Sequence, residues 1–292
     1  MNLQRLQWYA RHLSLPLTGP AIGIADNRRT VARGRGITFA GLREYEYGDD
    51  VRTIDWNATA RFARPFVKTF QDDRAVDLLI LLDCSASLGD AKNPSSKIAI
   101  ARELAAVFVL VALRQEQRIS VLLFTDRSEW KMRLDRGRGH VNQLLRALDH
   151  HEVLSRRTDL SAALRQVPRL LPHPGFVLLI SDFADSNYEE ELRAAGRRHD
   201  VFALALLDPG EAEPPDVGLV RARDVETGSV EWIDTSSRRT RDAWRTSWLR
   251  RQRGRRALFG RAGVVSVDIQ MGQPYFSTLK AACRNLPGQR PR

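Results

Sequence analysis

Five consecutive apolar residues, Leu78-Leu79-Ile80-Leu81-Leu82, stand between Asp77 and Asp83 with no polar alternation. A strand with one face in water alternates, whereas a strand covered on both faces does not, so this run reads as an inner strand of a parallel sheet. With Val76 and Asp77 it makes a strand over 76–82, and further strand candidates lie at 118–124, 129–134, 176–181, 201–207 and 264–269. Helical segments fall between them at 95–116, 139–149, 159–171, 188–199, 237–260 and 274–284. Strands alternating with helices of this length form βαβ units. The expected fold class is therefore α/β, with a mostly parallel central sheet flanked by helices on both faces, in the Rossmann manner.

Local signals refine this outline. Asn93 is placed to cap the helix 95–116, with Pro94 in its first turn. Pro168 is expected to kink or shorten the helix 159–171. Alternating runs on either side of Glu226-Thr227-Gly228-Ser229 read as an inserted β-hairpin over about 217–234.

The first 74 residues differ in texture. After a short amphipathic helix carrying Leu3, Leu6, Tyr9 and Leu13 come Pro16, Pro20 and glycines at 19, 23, 34, 36, 41 and 48. That density suits loops and short strands, one of them over 66–70. Residues 1–74 are thus expected to form an irregular N-terminal extension, and residues 75–292 the α/β domain, including the hairpin and an Arg-rich helix over about 237–260.

With 292 residues, 43% of them hydrophobic and 28% charged, the chain can bury a sizeable core as a soluble globular protein. Polar residues interrupt the N-terminal stretch too often for a signal peptide. The longest apolar segment, Leu104 to Leu113, has ten residues, about half of the roughly 20 that a membrane-spanning helix needs. Cys84 and Cys283 show no metal-ligand or redox spacing, which fits a reducing cytoplasm. The formal charge of +11 is local: residues 236–263 hold ten arginines (238, 239, 241, 245, 250, 251, 253, 255, 256 and 261) against the single acid Asp242.

The chemistry gathers at one sheet edge. In open α/β sheets, ligands collect beyond the carboxyl ends of the strands. Asp83 ends its strand there and is followed by Ser85 and Ser87; Asp182 ends the strand 176–181, and Thr158 precedes the helix 159–171. In a parallel sheet these loops share an edge, so two carboxylates and three hydroxyls face one point. Such hard oxygen donors suit Mg²⁺ or Mn²⁺; Mg²⁺ takes near-octahedral oxygen coordination at about 2.0 to 2.1 Å and keeps several waters. Neutral hydroxyls among the ligands would leave the ion a residual positive charge that favours an incoming Asp or Glu carboxylate from a partner.

These residues resemble a known motif. Asp83-x-Ser85-x-Ser87 with Thr158 and Asp182 is similar, at all five positions, to the metal-ion-dependent adhesion site of von Willebrand factor type A domains. Upstream, Gly34-Arg35-Gly36-Ile37-Thr38-Phe39, Arg43-Glu44-Tyr45, Gly48-Asp49-Asp50-Val51-Arg52-Thr53-Ile54-Asp55-Trp56 and Thr59-Ala60-Arg61 resemble the opening signature of the bacterial domain of unknown function 58 family. The likeness extends from about residue 20 to the end. It implies a von Willebrand factor A-like domain, a non-enzymatic protein-binding role as adaptor or co-chaperone, and partnership with a MoxR-type AAA ATPase.

Other features compete with that reading. Asp83 after a buried strand also resembles the aspartyl nucleophile of phosphotransferases of the haloacid dehalogenase type, but those carry a second Asp where this chain has Ser85. No Gly-Lys-Ser/Thr phosphate loop is present. The Arg-rich helix, whose Trp244, Trp248, Leu258 and Phe259 form a stripe that can dock while the arginines face solvent, suits phosphates, nucleic acid or an acidic protein surface. Arg43, Arg52 and Arg61 interleave with Asp49, Asp50 and Asp55, a pattern of internal charge pairing around a packed Trp56. The histidines at 12, 140, 150, 151, 173 and 199 form no metal or catalytic pattern and read as surface or turn residues.

Overall fold

The computed structural model describes residues 2–15, 37–47, 49, 51–72, 76–90, 93–185, 187–223 and 228–286. The signature residues Gly34, Arg35, Gly36, Gly48 and Asp50 lie outside them, as do residues 224–227 of the hairpin turn. Two compact units emerge. One joins Met1–Leu15 to Asp77–Leu286, and the other centres on Pro16–Val76.

Helix α1 (Leu3–His12) groups with the sheet-bearing unit and not with the residues that follow it, so the extension expected over 1–74 loses its first helix. The reason lies in its apolar stripe: Leu6, Ala10 and Leu13 are buried, and Tyr9 stacks on Phe276 with ring centroids 4.4 Å apart. Arg5 adds an ion pair to Glu103 at 2.6 Å.

In the second unit, β1 (Ile37–Glu44) pairs antiparallel with β2 (Phe66–Asp72), with a register shift between Phe39 and Gly41. Between them runs α2 (Trp56–Phe62), capped by Asp55, whose carboxylate accepts from the amides of Asn57 and Ala58. Of the expected charge pairs, Arg43 with Asp49 at 2.5 Å is present, both residues lying within this unit. Trp56 does not pack as expected: it is 69% exposed on the first turn of α2.

The main sheet has six strands in the order β10-β7-β6-β3-β4-β5. These are β3 (Leu78–Asp83), β4 (Ile119–Phe124), β5 (Ser128–Asp135), β6 (Phe176–Ser181), β7 (Asp200–Leu207) and β10 (Val265–Gln270), and the small hairpin is β8 (Leu219–Arg223) with β9 (Val230–Asp234). All neighbours in the main sheet are parallel except β5, which runs antiparallel to β4 at the edge. Every residue of β3, β4 and β6 is buried, as runs without alternation require.

Helices cover both faces. They are α3 (Lys97–Arg114), α4 (Arg138–His150), α5 (Leu160–Leu164), α6 (Val167–Leu170), α7 (Glu189–Arg198), α8 (Arg238–Arg261) and α9 (Phe276–Arg284). On one face α3 sets Phe108 against Phe202 of β7. On the other, Leu79, Leu81, Val177, Leu179 and Ala203 form a core with Leu160, Leu164, Val167, Leu192 and Phe259. The expected helix 159–171 is divided into α5 and α6, with Pro168 in the first turn of the second piece. The cap of α3 is Ser96, not Asn93: Ser96 Oγ accepts from the amide of Ala99 at 3.3 Å.

Candidate functional site at the carboxyl edge of the sheet

The register of β3 and β6 builds this edge. Leu82 stands opposite Ile180, so Ser181 and Asp182 come abreast of Asp83. Asp83 is fully buried. Its Oδ1 accepts from the amide of Ser85 at 2.9 Å and its Oδ2 from the hydroxyl of Ser181 at 2.7 Å. Ser85 and Ser87 then bring their hydroxyl oxygens to 3.0 Å from each other.

Asp182 leaves β6 on a sharp turn whose next residue, Phe183, has a positive φ of 55°. A bulky residue seldom adopts that conformation. Here the amide of Phe183 donates to Ser181 Oγ at 2.9 Å, and the ring packs edge-on against Phe259. Ser181 thus serves both loops, donating to Asp83 and accepting from the turn that aims Asp182. Thr158 is half-buried. Its segment is fixed to the same edge, because the amide of Ala86 donates to the carbonyl of Arg156 at 3.0 Å and that of Asp159 to the carbonyl of Thr125 at 3.1 Å.

Sequence reasoning missed Lys97. Its ammonium lies 3.0 Å from Asp182 Oδ2 and 3.4 Å from the carbonyl of Ser87, and it is also ion-paired with Glu211. The signal was present: a cation in the first turn of a helix opposes the helix dipole, so a lysine opening the apolar helix α3 needs a local acceptor. Burial works to lower the pKa of Lys97, but the charges of Asp182 and Glu211 outweigh it and hold the ammonium above its ordinary value.

Asp83 is in the reverse position. Burial, reinforced by the neighbouring charge of Asp182, pushes its carboxyl up to about 7, against the hydrogen bonds from Ser181 and Ser85. A buried carboxylate with no ion-pair partner among the described residues, together with two serine hydroxyls and a second carboxylate, fits the chemistry of a hard divalent ion. Among the described residues no three His, Cys, Asp or Glu side chains cluster as a metal site, so an ion here depends on the hydroxyls. Cys84, next to Asp83, is buried and its thiol is pushed up to about 12, which makes it an inert core residue.

Arg255 does not face solvent: it is buried against Phe259 and bonded to Asp268 at 2.7 Å. Of the expected docking stripe on α8, Phe259 is buried, while Trp244 stays 37% exposed with its indole N–H on the carbonyl of Glu211. His140 and His199 are buried, and the Nε2 of His140 lies 2.8 Å from the carbonyl of Ile119. No helix among the described residues is long and apolar enough to cross a membrane.

Fold and site together define an α/β domain with an oxygen-rich loop set on the carboxyl edge of its sheet. The chain belongs to the family described as "Protein of unknown function DUF58", whose pattern matches residues 41–254. Over 200 residues it is 33% identical to Uncharacterized protein Rv1480 of Mycobacterium tuberculosis, covering 68% of this chain and 63% of that protein. The match to Uncharacterized protein Mb1516 of Mycobacterium bovis has the same extent and identity. The chain therefore spans less than two thirds of the length of these relatives. Among solved structures, BatB from Bacteroides thetaiotaomicron is similar over 73% of this chain and 98% of its own, at 15% identity and a TM-score of 0.49. The SpRpn10 VWA domain is similar over 75% and 100%, at 12% identity and a TM-score of 0.39.

Proposed function

We propose that this chain is a non-enzymatic protein-binding module that works through a metal ion at the carboxyl edge. In this reading Asp83, Ser85, Ser87, Thr158 and Asp182 hold Mg²⁺ or Mn²⁺, directly or through water. The bound ion would supply an open coordination position to a carboxylate on the partner. The chain's own residues preorganise the edge: Ser181 orients Asp83, the turn at Phe183 aims Asp182, and the Ser85 amide fixes the loop that carries both serines. The observation that carries the reading is the buried Asp83, held by the Ser85 amide and the Ser181 hydroxyl and raised toward neutrality, beside paired serine hydroxyls and Asp182. The partner we propose, from the family resemblance, is a MoxR-type AAA ATPase, with the chain as its adaptor or co-chaperone.

Isothermal titration with Mg²⁺ and Mn²⁺ tests the metal, and capture of a purified MoxR-type ATPase in Mg²⁺ and in EDTA tests the partner. Wild type is expected to bind the ion and to capture the ATPase only in Mg²⁺, and Asp83→Ala to lose both. Heat-silent titrations together with capture that survives EDTA would refute the mechanism.

One observation favours a second reading, polyanion binding through α8. Arg239, Arg250, Arg251 and Arg253 are exposed and carry no ion pair among the described residues, whereas Arg241, Arg245, Arg255, Arg256 and Arg261 are paired. Arg239, Arg250 and Arg253 share one helical face. Binding of this kind weakens steeply with salt. A gel shift with duplex DNA at two ionic strengths separates it from metal-dependent capture, and absence of a shift at low salt removes it.

A further inference from the structure

We propose that Lys97 is a built-in counter-ion of the carboxyl-edge site, which lowers the site's hold on a divalent cation and raises its pull on an incoming carboxylate. The inference rests on reading that edge as a metal site, and it assigns the site a charge regulator outside the five oxygen donors.

The geometry leaves the ammonium little freedom. The Lys97 side chain is 7% exposed, and its nitrogen is shared between Asp182 Oδ2, the Ser87 carbonyl and Glu211. Two of those three acceptors belong to loops that carry expected metal ligands. Any cation taken up by Asp182 therefore meets a fixed positive charge already bound to the same carboxylate. Their repulsion weakens metal binding, and the excess positive charge remains at the edge for an acidic group to neutralise. Glu211, in the turn Pro209–Glu211 after β7, holds the opposite side of the ammonium and moderates that excess.

The same contacts would also suit a purely structural pin between three loops. The two roles differ in sign. If Lys97 and Glu211 only pin the loops, removing either one loosens the site and weakens metal binding. If they set its charge, removing the cation strengthens metal binding and removing the anion weakens it.

Isothermal titration of Mn²⁺ into wild type, Lys97→Met, Glu211→Gln and Asp83→Ala decides between them. The expected result is binding by Lys97→Met tighter than wild type by about tenfold or more, since a unit charge next to a divalent ion costs that much even with water-like screening. Glu211→Gln is expected to bind about threefold weaker or more, and Asp83→Ala not at all. Equal or weaker binding by Lys97→Met overturns the proposal. Should that variant fail to fold, Lys97→Gln, which keeps a neutral hydrogen-bond donor for Asp182, carries the test: tighter binding than wild type supports the proposal, and equal or weaker binding overturns it. A wild type that takes up no Mn²⁺ sinks the metal reading and this proposal together. A wild type whose binding is lost in Asp83→Ala but unchanged in Lys97→Met sinks this proposal alone.

Discussion

Asp83 is sealed from water and raised to about 7, first by burial and then by Asp182. A raised carboxyl binds its proton more tightly in the native state than in the unfolded chain, so its contribution to stability is present at low pH and is lost as pH rises through about 4 to 7. Asp83→Asn keeps the shape without the charge. In chelator at pH 8 it is expected to be more stable than wild type, by on the order of 2 kcal/mol; a lower unfolding midpoint would contradict this. His199 has the opposite sign. Burial, then Arg198, depresses it to about 4, and its Nδ1 is buried without a hydrogen-bond partner among the described residues. The unfolded chain takes up a proton below about pH 6.5 that the native state refuses, so stability falls between about pH 6.5 and 4. In wild type the two groups oppose each other between pH 7 and 5, so the test is a difference: in denaturant titrations His199→Gln is expected to gain about 1 to 2 kcal/mol relative to wild type on going from pH 7 to 5. The positions of Asp83, Ser85, Ser87 and Asp182 were legible because each follows a buried strand in sequence. Ser181 was not, and Lys97 only as a helix-opening cation in want of an acceptor, because their partners lie 98 and 85 residues away.

At the scale of elements, one close approach gives a sharp test. A Cβ added to Gly196 on α7 would lie 2.3 Å from the carbonyl oxygen of Ala262, at the end of α8. Backbone cannot retreat as a flexible side chain can, so Gly196→Ala is expected to cost about 1 to 3 kcal/mol, read as a lower denaturant midpoint with an unchanged slope. Ser96→Ala, which removes the cap of α3, should cost about 1 kcal/mol. Asn93 looked like that cap from its neighbour Pro94. Its side chain instead accepts from the amide of Ser95 at 3.0 Å, one turn too early for the helix. The inner strands β3, β4, β6 and β7 of the main sheet were readable from apolar runs and the breaks around them. β1 was not: Gly41 sits at its register shift, and in a glycine-rich stretch its short alternation resembles a loop.

At the scale of the whole molecule, α1 belongs to the sheet-bearing unit although 61 residues, from Pro16 to Val76, separate it from the rest of that unit. Deleting residues 2–12 would uncover Phe276 and leave Glu103 without Arg5. Scanning calorimetry is expected to show the midpoint falling by several degrees, at roughly 2 to 4 °C per kcal/mol for a domain of this size; an unchanged midpoint would mean that the helix contributes nothing. The charge of α8 likewise divides only in three dimensions. Ten arginines are visible in the sequence, but Arg255 is buried on Phe259 while Arg239, Arg250 and Arg253 face outward. The amino-acid sequence by itself determined the α/β class, the inner strands and the edge at which Asp83 and Asp182 end their strands, because burial on both faces and the ends of strands are local patterns. Only the tertiary structure decided which groups share that edge's charge, namely the Ser181 hydroxyl on Asp83 and the Lys97 ammonium between Asp182 and Glu211. Those contacts depend on how separate strands and helices register against one another, which no local spacing records.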